Sequence, residues 1–316
     1  MDSRGPNRVL ITGATSGLGR AIAIQLASRG WRIAITGRRE TRLHEVAEEA
    51  KTAGAPDLLA LIGSVTDHST VASHYALIRE QWGGLDWAIL NAGVADSCAA
   101  ENFTTTNFRW TFDTNLFGVC EWIEAVLPDM LASARALAKE RAKQQGGSRA
   151  DASPGAANPV IAGISSPAGW RGFPRMASYS SSKAAVSTLL ESLRVELRGR
   201  GVDIITVCPG WVKSEITDRN APGSMWMVLE TDDGAARIIR GIEKRNRVVH
   251  FPFPLTHFLR YLVRPLPGWI FDPLVSRLVR PKKAPYVDES AADRIRHDVE
   301  AKRQVVEKLK DESSRV

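Results

Sequence analysis

Short, almost wholly apolar runs alternate with longer amphipathic segments in the first third of the chain. The runs RVLIT, RIAIT, LLALIG and WAILN have the length and β-branched content of buried strands. The segments GRAIAIQLASR, ETRLHEVAEEAKTA and HSTVASHYALIREQW lie between them and carry apolar residues at helical spacing. Because strands and helices that alternate form βαβ units, a parallel sheet covered by helices on both faces is predicted.

The same alternation resumes later in the chain and ends near residue 251. The runs NPVIAGIS, VDIITVC and RVVHF predict three further strands. One α/β domain with a Rossmann-like, doubly wound parallel sheet is therefore predicted for residues 1–251. Residues 133–158 interrupt the pattern, because a charged helical segment passes into a run rich in Gly, Ser, Ala and Pro. This composition predicts a flexible surface insertion.

Residues 252–316 form a C-terminal extension that is first Pro-rich, then basic and finally highly charged. Two helical stripes predict two short amphipathic helices. The stripes consist of Leu255, Phe258, Leu259 and Leu262, and of Phe271, Leu274, Val275 and Leu278.

Two interpretations of the extension stay open. The stripes pack on the enzyme's own core or on a partner subunit, or residues 252–283 cover a hydrophobic substrate entrance and contact an anionic membrane peripherally. In the second case basic side chains would meet lipid headgroups. They are Arg260, Arg264, Arg277, Arg280, Lys282 and Lys283.

Composition narrows the classes of partner and compartment. The chain has 316 residues, a formal net charge of +7 and a pI of about 9.5, which suits an anionic partner or cofactor. No nucleic-acid-binding motif accompanies the basic residues, so no nucleic-acid partner is expected. The three cysteines are far apart and predict neither disulfides nor a metal site. No apolar run is long enough for a signal or a membrane span, which favours a cytoplasmic protein.

A glycine-rich turn follows the first predicted strand directly. The segment TGATSGLGRAIA places Gly13, Gly17 and Gly19 between a strand and a helix, with Ser16 and Leu18 among them. Glycine lets the backbone approach a pyrophosphate, and the amide groups at the helix start favour its negative charge. Although glycines also make ordinary tight turns, this strand–turn–helix context predicts a dinucleotide site.

The end of the second strand indicates which dinucleotide binds. NAD-preferring sheets place an acidic residue there, which bonds the adenosine ribose and would repel a 2′-phosphate. This chain has Gly37 followed by Arg38 and Arg39. Guanidinium groups pair well with phosphate, so NADP(H) is predicted, with Arg38 as the main contact and the role of Arg39 left open. The alternative is that two arginines merely begin a solvated helix.

Tyr179 and Lys183 are four residues apart at the start of a predicted helix, which places them on one helical face. Such a pair is common on solvated surfaces. The chemical alternative is that the ammonium favours the phenolate and lowers the tyrosine pKa from its ordinary value of about 10, so that the phenol can act as an acid or base.

The motifs of the whole chain favour the chemical alternative. After the glycine turn come LNAG at Leu90–Gly93, TNLFG at Thr114–Gly118, ISS at Ile164–Ser166, YSSSK at Tyr179–Lys183 and PGWVKS at Pro209–Ser214. With these six motifs in order, the sequence resembles the short-chain dehydrogenase/reductase family from about residue 8 to residue 251.

The resemblance implies a catalytic tetrad of Asn115, Ser166, Tyr179 and Lys183. Tyr179 would exchange a proton with the substrate oxygen, and Ser166 would position that oxygen. Lys183 would hold the nicotinamide ribose and lower the Tyr179 pKa, while Asn115 would hold a water that links Lys183 to solvent. Ser165 is a rival for the serine role, but the family's usual interval to the tyrosine selects Ser166.

Further cofactor contacts are implied by the same resemblance. This chain departs from the family at two of these contacts, because the family usually has an acidic residue at the position of Ser64 and a threonine at the position of Ser214. The implied contacts are Ser64, Val65, Asn91, Ala92, Gly93, Pro209, Gly210, Val212 and Ser214.

The expected function is an NADP(H)-dependent oxidoreductase that interconverts a carbonyl and an alcohol on a hydrophobic small molecule. A non-catalytic NADPH-binding sensor or scaffold is the alternative, because fold alone does not establish function. A dehydratase or epimerase fits the motifs less well. The resemblance also implies a homo-oligomer that pairs through the helices beginning near Asn107 and Tyr179.

Overall fold

The computed structural model describes residues 7–144, 158–217, 225 and 227–277. Seven parallel strands form a single sheet in the order β3-β2-β1-β4-β5-β6-β7. Their bounds are β1 (Arg8–Thr12), β2 (Arg32–Gly37), β3 (Leu58–Ile62), β4 (Trp87–Leu90), β5 (Val160–Ile164), β6 (Asp203–Pro209) and β7 (Val248–Phe251).

The strand order reverses between β1 and β4. From β1 the chain adds β2 and β3 on one side, then crosses to β4 and continues outward to β7. Val9 pairs with Ile33 of β2 and with Trp87 of β4, so β1 lies between the two halves. In open parallel sheets the ligand crevice forms at the carboxyl ends of the strands at such a reversal. This topology predicts a ligand crevice after β1 and β4.

Helices cover both faces of the sheet, as the apolar strand runs require. The helices are α1 (Gly17–Ala27), α2 (Glu40–Ala53), α3 (His68–Trp82), α4 (Thr105–Phe112), α5 (Gly118–Gln144), α6 (Ala177–Glu196), α7 (Thr231–Glu243), α8 (Phe253–Phe258) and α9 (Gly268–Ser276). One core contains buried residues of α1, α2 and α7, and the other contains those of α3, α5 and α6. The predicted doubly wound α/β fold is confirmed.

Two parts of the sequence depart from the regular alternation of strands and helices, the predicted insertion and the C-terminal extension. The charged start of the predicted insertion is helical, because α5 continues to Gln144. Residues 145–157 of that insertion lie outside the described residues. The first stripe of the extension falls in α8 and in the π-helical turn Leu259–Val263, and the second falls in α9. Its last member, Leu278, and the basic residues Arg280, Lys282 and Lys283 are likewise not described.

The described residues up to Val275 belong to one compact unit. This unit includes α8 and nearly all of α9, so these helices pack with the sheet domain. Within the described ranges, no helix combines the length and apolar character needed to cross a bilayer.

Candidate active site

Four predicted catalytic side chains converge beyond the carboxyl end of β5. Ser166 follows β5 directly, and its Oγ accepts a hydrogen bond of 3.1 Å from the Ala168 N–H. Tyr179 and Lys183 lie in the first turns of α6, and Asn115 lies in the π-helical turn Asp113–Phe117 between α4 and α5. Because a π-helical turn widens a helix locally, such turns often occur at functional sites.

Lys183 is a buried cation held at a defined point. Its side chain is 4% exposed, and Nζ donates a hydrogen bond of 2.8 Å to the Ile164 carbonyl oxygen. Burial lowers the pKa of Lys183 to about 8, because the charged form loses hydration. A Cβ on Gly93 would lie 3.3 Å from Lys183 Nζ and 3.3 Å from Asn115 Oδ1. Glycine at this position therefore leaves room for both polar groups.

Asn115 is fully buried, and its amide bonds to neighbouring segments. Oδ1 accepts from the Val94 N–H at 2.7 Å, while Nδ2 donates to the Val94 carbonyl at 2.9 Å and to Ser182 Oγ at 3.0 Å. Both amide protons are thus used within the protein. A water that links Lys183 to solvent, which the resemblance implies for Asn115, must therefore donate a hydrogen bond to Oδ1 or to the Asn115 carbonyl oxygen.

Tyr179 is partly exposed, and its phenol is hydrogen-bonded to the Ser166 side chain. Burial raises the pKa of Tyr179, and the hydrogen bond to Ser166 opposes that rise. Lys183 Nζ lies 5.8 Å from the centre of the Tyr179 ring. In the protein without cofactor, the pKa of Tyr179 is therefore raised, and its lowering by Lys183 with the cofactor bound stays a prediction. Desolvation is the largest cause of the rise, and the hydrogen bond with Ser166 offsets only part of it.

The two adjacent serines have separate surroundings. Ser165 Oγ donates to the Lys183 carbonyl oxygen at 2.8 Å and lies 2.7 Å from Ser187 Oγ. These bonds join the end of β5 to α6. The structure therefore places Ser166 beside the phenol of Tyr179 and gives Ser165 contacts within the framework.

The glycine-rich turn is packed against the end of β4. Gly13 has a φ of +65°, and a Cβ there would lie 2.7 Å from the Ala92 Cα. A Cβ on Gly19 would lie 2.5 Å from the Gly13 carbonyl oxygen. Asn91 Nδ2 donates to the Thr12 carbonyl at 3.0 Å, and Thr12 Oγ1 accepts from the Asn91 and Ala92 N–H groups at 3.0 and 2.9 Å. Asn91 and Ala92 therefore fix the conformation of the turn.

The helix start beyond this turn suits an anion. Ser16 precedes α1 in an extended conformation, and no side chain caps the helix. The first N–H groups of such a helix are available to a phosphate. A Cβ on Gly17 would lie 3.3 Å from the Ser214 Cβ, and the Leu18 side chain would lie 3.0 Å from a Cβ on Gly234. The crowded glycines and the uncapped helix fit a dinucleotide phosphate.

The segment after β6 forms the other side of this crevice. Pro209 ends β6, and the Gly210 N–H donates to the Phe251 carbonyl at 2.7 Å. Val212 is buried and pairs with Leu229 in an isolated β-bridge. The Ser214 N–H donates to Thr217 Oγ1 at 2.8 Å. These contacts hold the predicted nicotinamide-side residues next to the glycine-rich turn.

The two predicted adenosine-side arginines differ in their contacts. Arg38 is exposed and has no hydrogen bond or ion pair to another described residue. Arg39 Nη2 donates to Thr15 Oγ1 at 2.7 Å and to Ser16 Oγ at 2.8 Å. The structure therefore brings Arg39, whose role the sequence left open, onto the phosphate turn.

Ser64 and Val65 follow β3 nearby. Ser64 Oγ lies 2.9 Å from Thr66 Oγ1 and is exposed as part of a local turn. Val65 is buried, and its side chain would lie 2.5 Å from a Cβ on Gly118. Val65 thus packs against the start of α5, below the turn that contains Asn115.

Two features of the crevice were missed by sequence reasoning. Glu215 pairs with Arg39 across 176 residues, and no local pattern indicates such a partner. The extension also packs on the loop between Ser166 and Tyr179, where the Arg171 guanidinium lies 4.1 Å from the centre of the Phe271 ring. Phe173 contacts the same ring edge-on, with centres 6.3 Å apart. The aromatic residues in that loop were a signal that sequence analysis did not use.

A separate group of His68, Glu121 and Glu124 has potential metal-ligating atoms within 4.8 Å of one another. His68 Nδ1 lies 2.6 Å from a Glu121 carboxylate oxygen, and the hydrogen bond to Glu121 raises the pKa of His68. These contacts describe an exposed ion pair. They do not bring any catalytic side chain to the group.

The glycine-rich turn after β1 and the side chains of Ser166, Tyr179 and Lys183 thus lie at the same edge of the sheet, the edge at which ligands bind in open parallel sheets. The chain matches the family model for short chain dehydrogenases over residues 7–139 and 153–224. These segments cover well over half of the sequence, and the chain belongs to the short-chain dehydrogenase/reductase family.

Relatives and a solved structure agree with this assignment. An uncharacterized oxidoreductase of Myxococcus xanthus is 36% identical over 85% of this chain and 96% of that protein. The 11-beta-hydroxysteroid dehydrogenase 1A of Arabidopsis thaliana is 30% identical over 83% of this chain and 73% of its own length. A short chain dehydrogenase/reductase from Burkholderia phymatum, solved in complex with NAD, superposes with a TM-score of 0.68 at 22% identity. That superposition covers 91% of this chain and 100% of the other.

Proposed function

We propose that the protein is an NADP(H)-dependent oxidoreductase that interconverts a carbonyl and an alcohol. The observation that carries the proposal is the group of Ser166, Tyr179 and Lys183 beside a glycine-rich phosphate turn. A bound nicotinamide would supply or accept the hydride. The side chains of the protein would orient the substrate oxygen and move its proton.

The proton steps follow from the side-chain environments. In reduction, Tyr179 donates its proton to the substrate oxygen. Its ordinary pKa already keeps the phenol protonated at neutral pH, and burial raises that pKa further. Ser166 bonds the same oxygen and stabilises the charge that develops on it. In oxidation Tyr179 must act as a phenolate, which the nearby Lys183 ammonium favours while it keeps its proton. Lys183 would also hold the nicotinamide ribose.

The preference for NADP(H) is supported by the residues after β2. Gly37 offers no carboxylate to a ribose hydroxyl, and Arg38 and Arg39 offer guanidinium groups to a 2′-phosphate. Arg38→Ala and Arg39→Ala should each weaken NADPH binding about tenfold and leave NADH binding nearly unchanged. The matched control is Arg20→Ala on α1, since Arg20 is an exposed arginine that pairs with Glu49 at 2.6 Å. Equal losses for both cofactors would contradict the proposed preference.

A hydrophobic substrate is supported by the aromatic wall next to the site. Trp170, Phe173 and Phe271 lie in or against the loop that joins Ser166 to Tyr179. Several curated relatives are called hydroxysteroid dehydrogenases, so polycyclic ketones and alcohols are proposed as the substrate class.

NADPH consumption with a panel that ranges from short aldehydes to polycyclic ketones tests this proposal. Turnover should increase with the apolar surface of the substrate. Activity limited to short polar aldehydes would contradict the substrate class. Tight NADPH binding without turnover of any compound would favour the sensor alternative.

The extension is proposed to contact an anionic membrane surface peripherally. Large apolar side chains on it are exposed, including Phe258, Tyr261 and Trp269, and Trp269 is 78% exposed. Arg260 and Arg264 lie in the same segment, so apolar and basic groups are combined as in interfacial helices.

A homo-oligomer is also proposed, with pairing through α4, α5 and α6. Val195 of α6 is 70% exposed, which leaves an apolar side chain on this helix for a partner subunit. Light scattering at micromolar concentration should give at least a dimer. A monomer would contradict the proposal.

A further inference from the structure

A carboxylate from a distant part of the chain lies among the arginines of the adenosine side. Glu215 Oε2 accepts from Arg39 Nη1 at 2.6 Å, and Glu215 Oε1 accepts from Arg42 Nη1 at 2.6 Å. Glu215 also interacts with the Ser16 side chain in the glycine-rich turn. It follows Ser214 in the segment after β6, so this one side chain joins that segment to the turn and to α2.

These contacts engage most of the donors of Arg39. Its Nε and Nη2 donate to Thr15 Oγ1 at 3.1 and 2.7 Å, and Nη2 also donates to Ser16 Oγ at 2.8 Å. A guanidinium has five N–H donors, and Glu215 takes one of those on Nη1. A phosphate that approaches Arg39 must therefore share this group with a carboxylate of the same sign of charge.

The ion pair is open to exchange with a ligand. The side chains of Arg39, Arg42 and Glu215 are 44%, 53% and 43% exposed. Burial alone would raise the pKa of Glu215, but hydrogen bonds and charge from Arg39 hold it below its ordinary value. The carboxylate is therefore ionised at neutral pH. Because exposed ion pairs are weak, a phosphate dianion can displace it.

We infer that Glu215 is a specificity-determining residue that occupies Arg39 and Arg42 in the absence of cofactor and must leave them when a 2′-phosphate binds. It thereby lowers the affinity for NADPH and not for NADH. This inference rests on the proposed NADP(H) preference. The segment that contains Ser214 therefore responds to the 2′-phosphate. The Ser214 Cβ would lie 3.3 Å from a Cβ on Gly17, so this segment lies against the glycine-rich turn.

Glu215→Gln tests the inference, because it keeps the shape of the side chain and removes its charge. Calorimetry with 2′,5′-ADP and 5′-AMP compares ligands that differ in the 2′-phosphate, and NADPH and NADH repeat the comparison with whole cofactors. The variant should bind 2′,5′-ADP and NADPH about tenfold more tightly at low salt, and bind 5′-AMP and NADH as before. The gain should shrink as salt increases.

Glu230→Gln is the matched control. Glu230 pairs with Lys213 just before Ser214, so its substitution removes an ion pair of the same segment away from the arginines. It should change none of the four affinities. Unchanged or weaker 2′,5′-ADP binding by Glu215→Gln would overturn the inference, since the carboxylate would then be neutral or would help to arrange Arg39.

The wild-type protein separates this inference from the proposed function. If wild type prefers 2′,5′-ADP to 5′-AMP, the NADP(H) proposal stands, and Glu215→Gln alone decides the role of the carboxylate. If wild type shows no preference, the NADP(H) proposal fails. In that case, a preference of Glu215→Gln for 2′,5′-ADP over 5′-AMP would still support Glu215 as the group that opposes the phosphate. If Glu215→Gln also showed no preference, that role would be overturned too.

Discussion

The catalytic centre buries polar side chains, whereas the C-terminal extension exposes large apolar ones. At the centre, Asn115 and Lys183 are almost completely buried, and each bonds to the backbone of a neighbouring segment. In the extension, the buried apolar side chains Val263, Phe271 and Val275 form only a small cluster, while Trp269 remains exposed. The centre is thus fixed by many mutually supporting contacts, whereas large apolar side chains of the extension stay exposed.

The largest effect that distinguishes the two regions is expected for Lys183→Met. The substitution keeps most of the side-chain volume and removes a buried charge that the proposed mechanism uses twice. Turnover should fall about a hundredfold to ten thousandfold, and NADPH should bind more weakly. Lys51→Met on α2 is the control, since Lys51 is an exposed lysine paired with Glu48. Steady-state kinetics with normal turnover in Lys183→Met would show that the buried lysine is structural.

The glycine-rich turn should be nearly as intolerant of change. Gly13→Ala combines a left-handed backbone with a Cβ 2.7 Å from the Ala92 Cα, whereas Gly30→Ala has a similar φ of +73° and no atom within 4 Å. Gly30→Ala should cost about 1 to 2 kcal/mol of unfolding free energy from the backbone alone. Gly13→Ala should cost about 1 to 3 kcal/mol more, because overpacking is added. Urea denaturation that gives equal losses would contradict the predicted close approach.

The sequence alone indicated those parts of the candidate site whose residues lie close together along the chain. The glycines of the turn, and Tyr179 with Lys183 on one helix, are local patterns, so the sequence alone indicated them. The raised pKa of Tyr179 depends on burial, and the pairing of Glu215 with Arg39 depends on tertiary contact. Neither could be predicted without the fold. The helical stripes of the extension were predicted, but their packing on the loop around Phe173 was not.

The pH dependence of cofactor use should reflect the buried lysine. Because the pKa of Lys183 is lowered to about 8, its charge is present below that pH and is lost as the pH rises above it. The kcat/KM for NADPH, which describes the cofactor-free enzyme, should therefore be constant below pH 7 and decline above pH 8 by up to about tenfold per pH unit. A constant value up to pH 10 would mean that Lys183 keeps its proton or does not contact the cofactor.

The smallest effects on the isolated enzyme are expected in the extension. Trp269→Ser and Phe258→Ser alter exposed side chains, so thermal stability and turnover of a water-soluble substrate should hardly change. Flotation with anionic liposomes at low salt should be reduced in both variants, and high salt should reduce it in wild type.

Ile62→Ser on β3 is the control for the liposome experiment, because Ile62 is also an exposed apolar residue but lies outside the extension and outside the proposed subunit interface. Its flotation should equal that of wild type. If wild type does not bind anionic liposomes at low salt, the membrane proposal fails. The exposed face of the extension would then be assigned to a lid or a subunit interface.

Tyr179→Phe is the most direct test of the central claim that Tyr179 is the catalytic acid and base. The substitution removes one hydroxyl, and Tyr261→Phe removes the hydroxyl of an exposed tyrosine as its control. In Tyr179→Phe, kcat should fall about a hundredfold to ten thousandfold while the Kd for NADPH stays within about twofold of wild type, and Tyr261→Phe should keep full activity. Substantial turnover by Tyr179→Phe with unchanged NADPH binding would contradict the proposed mechanism.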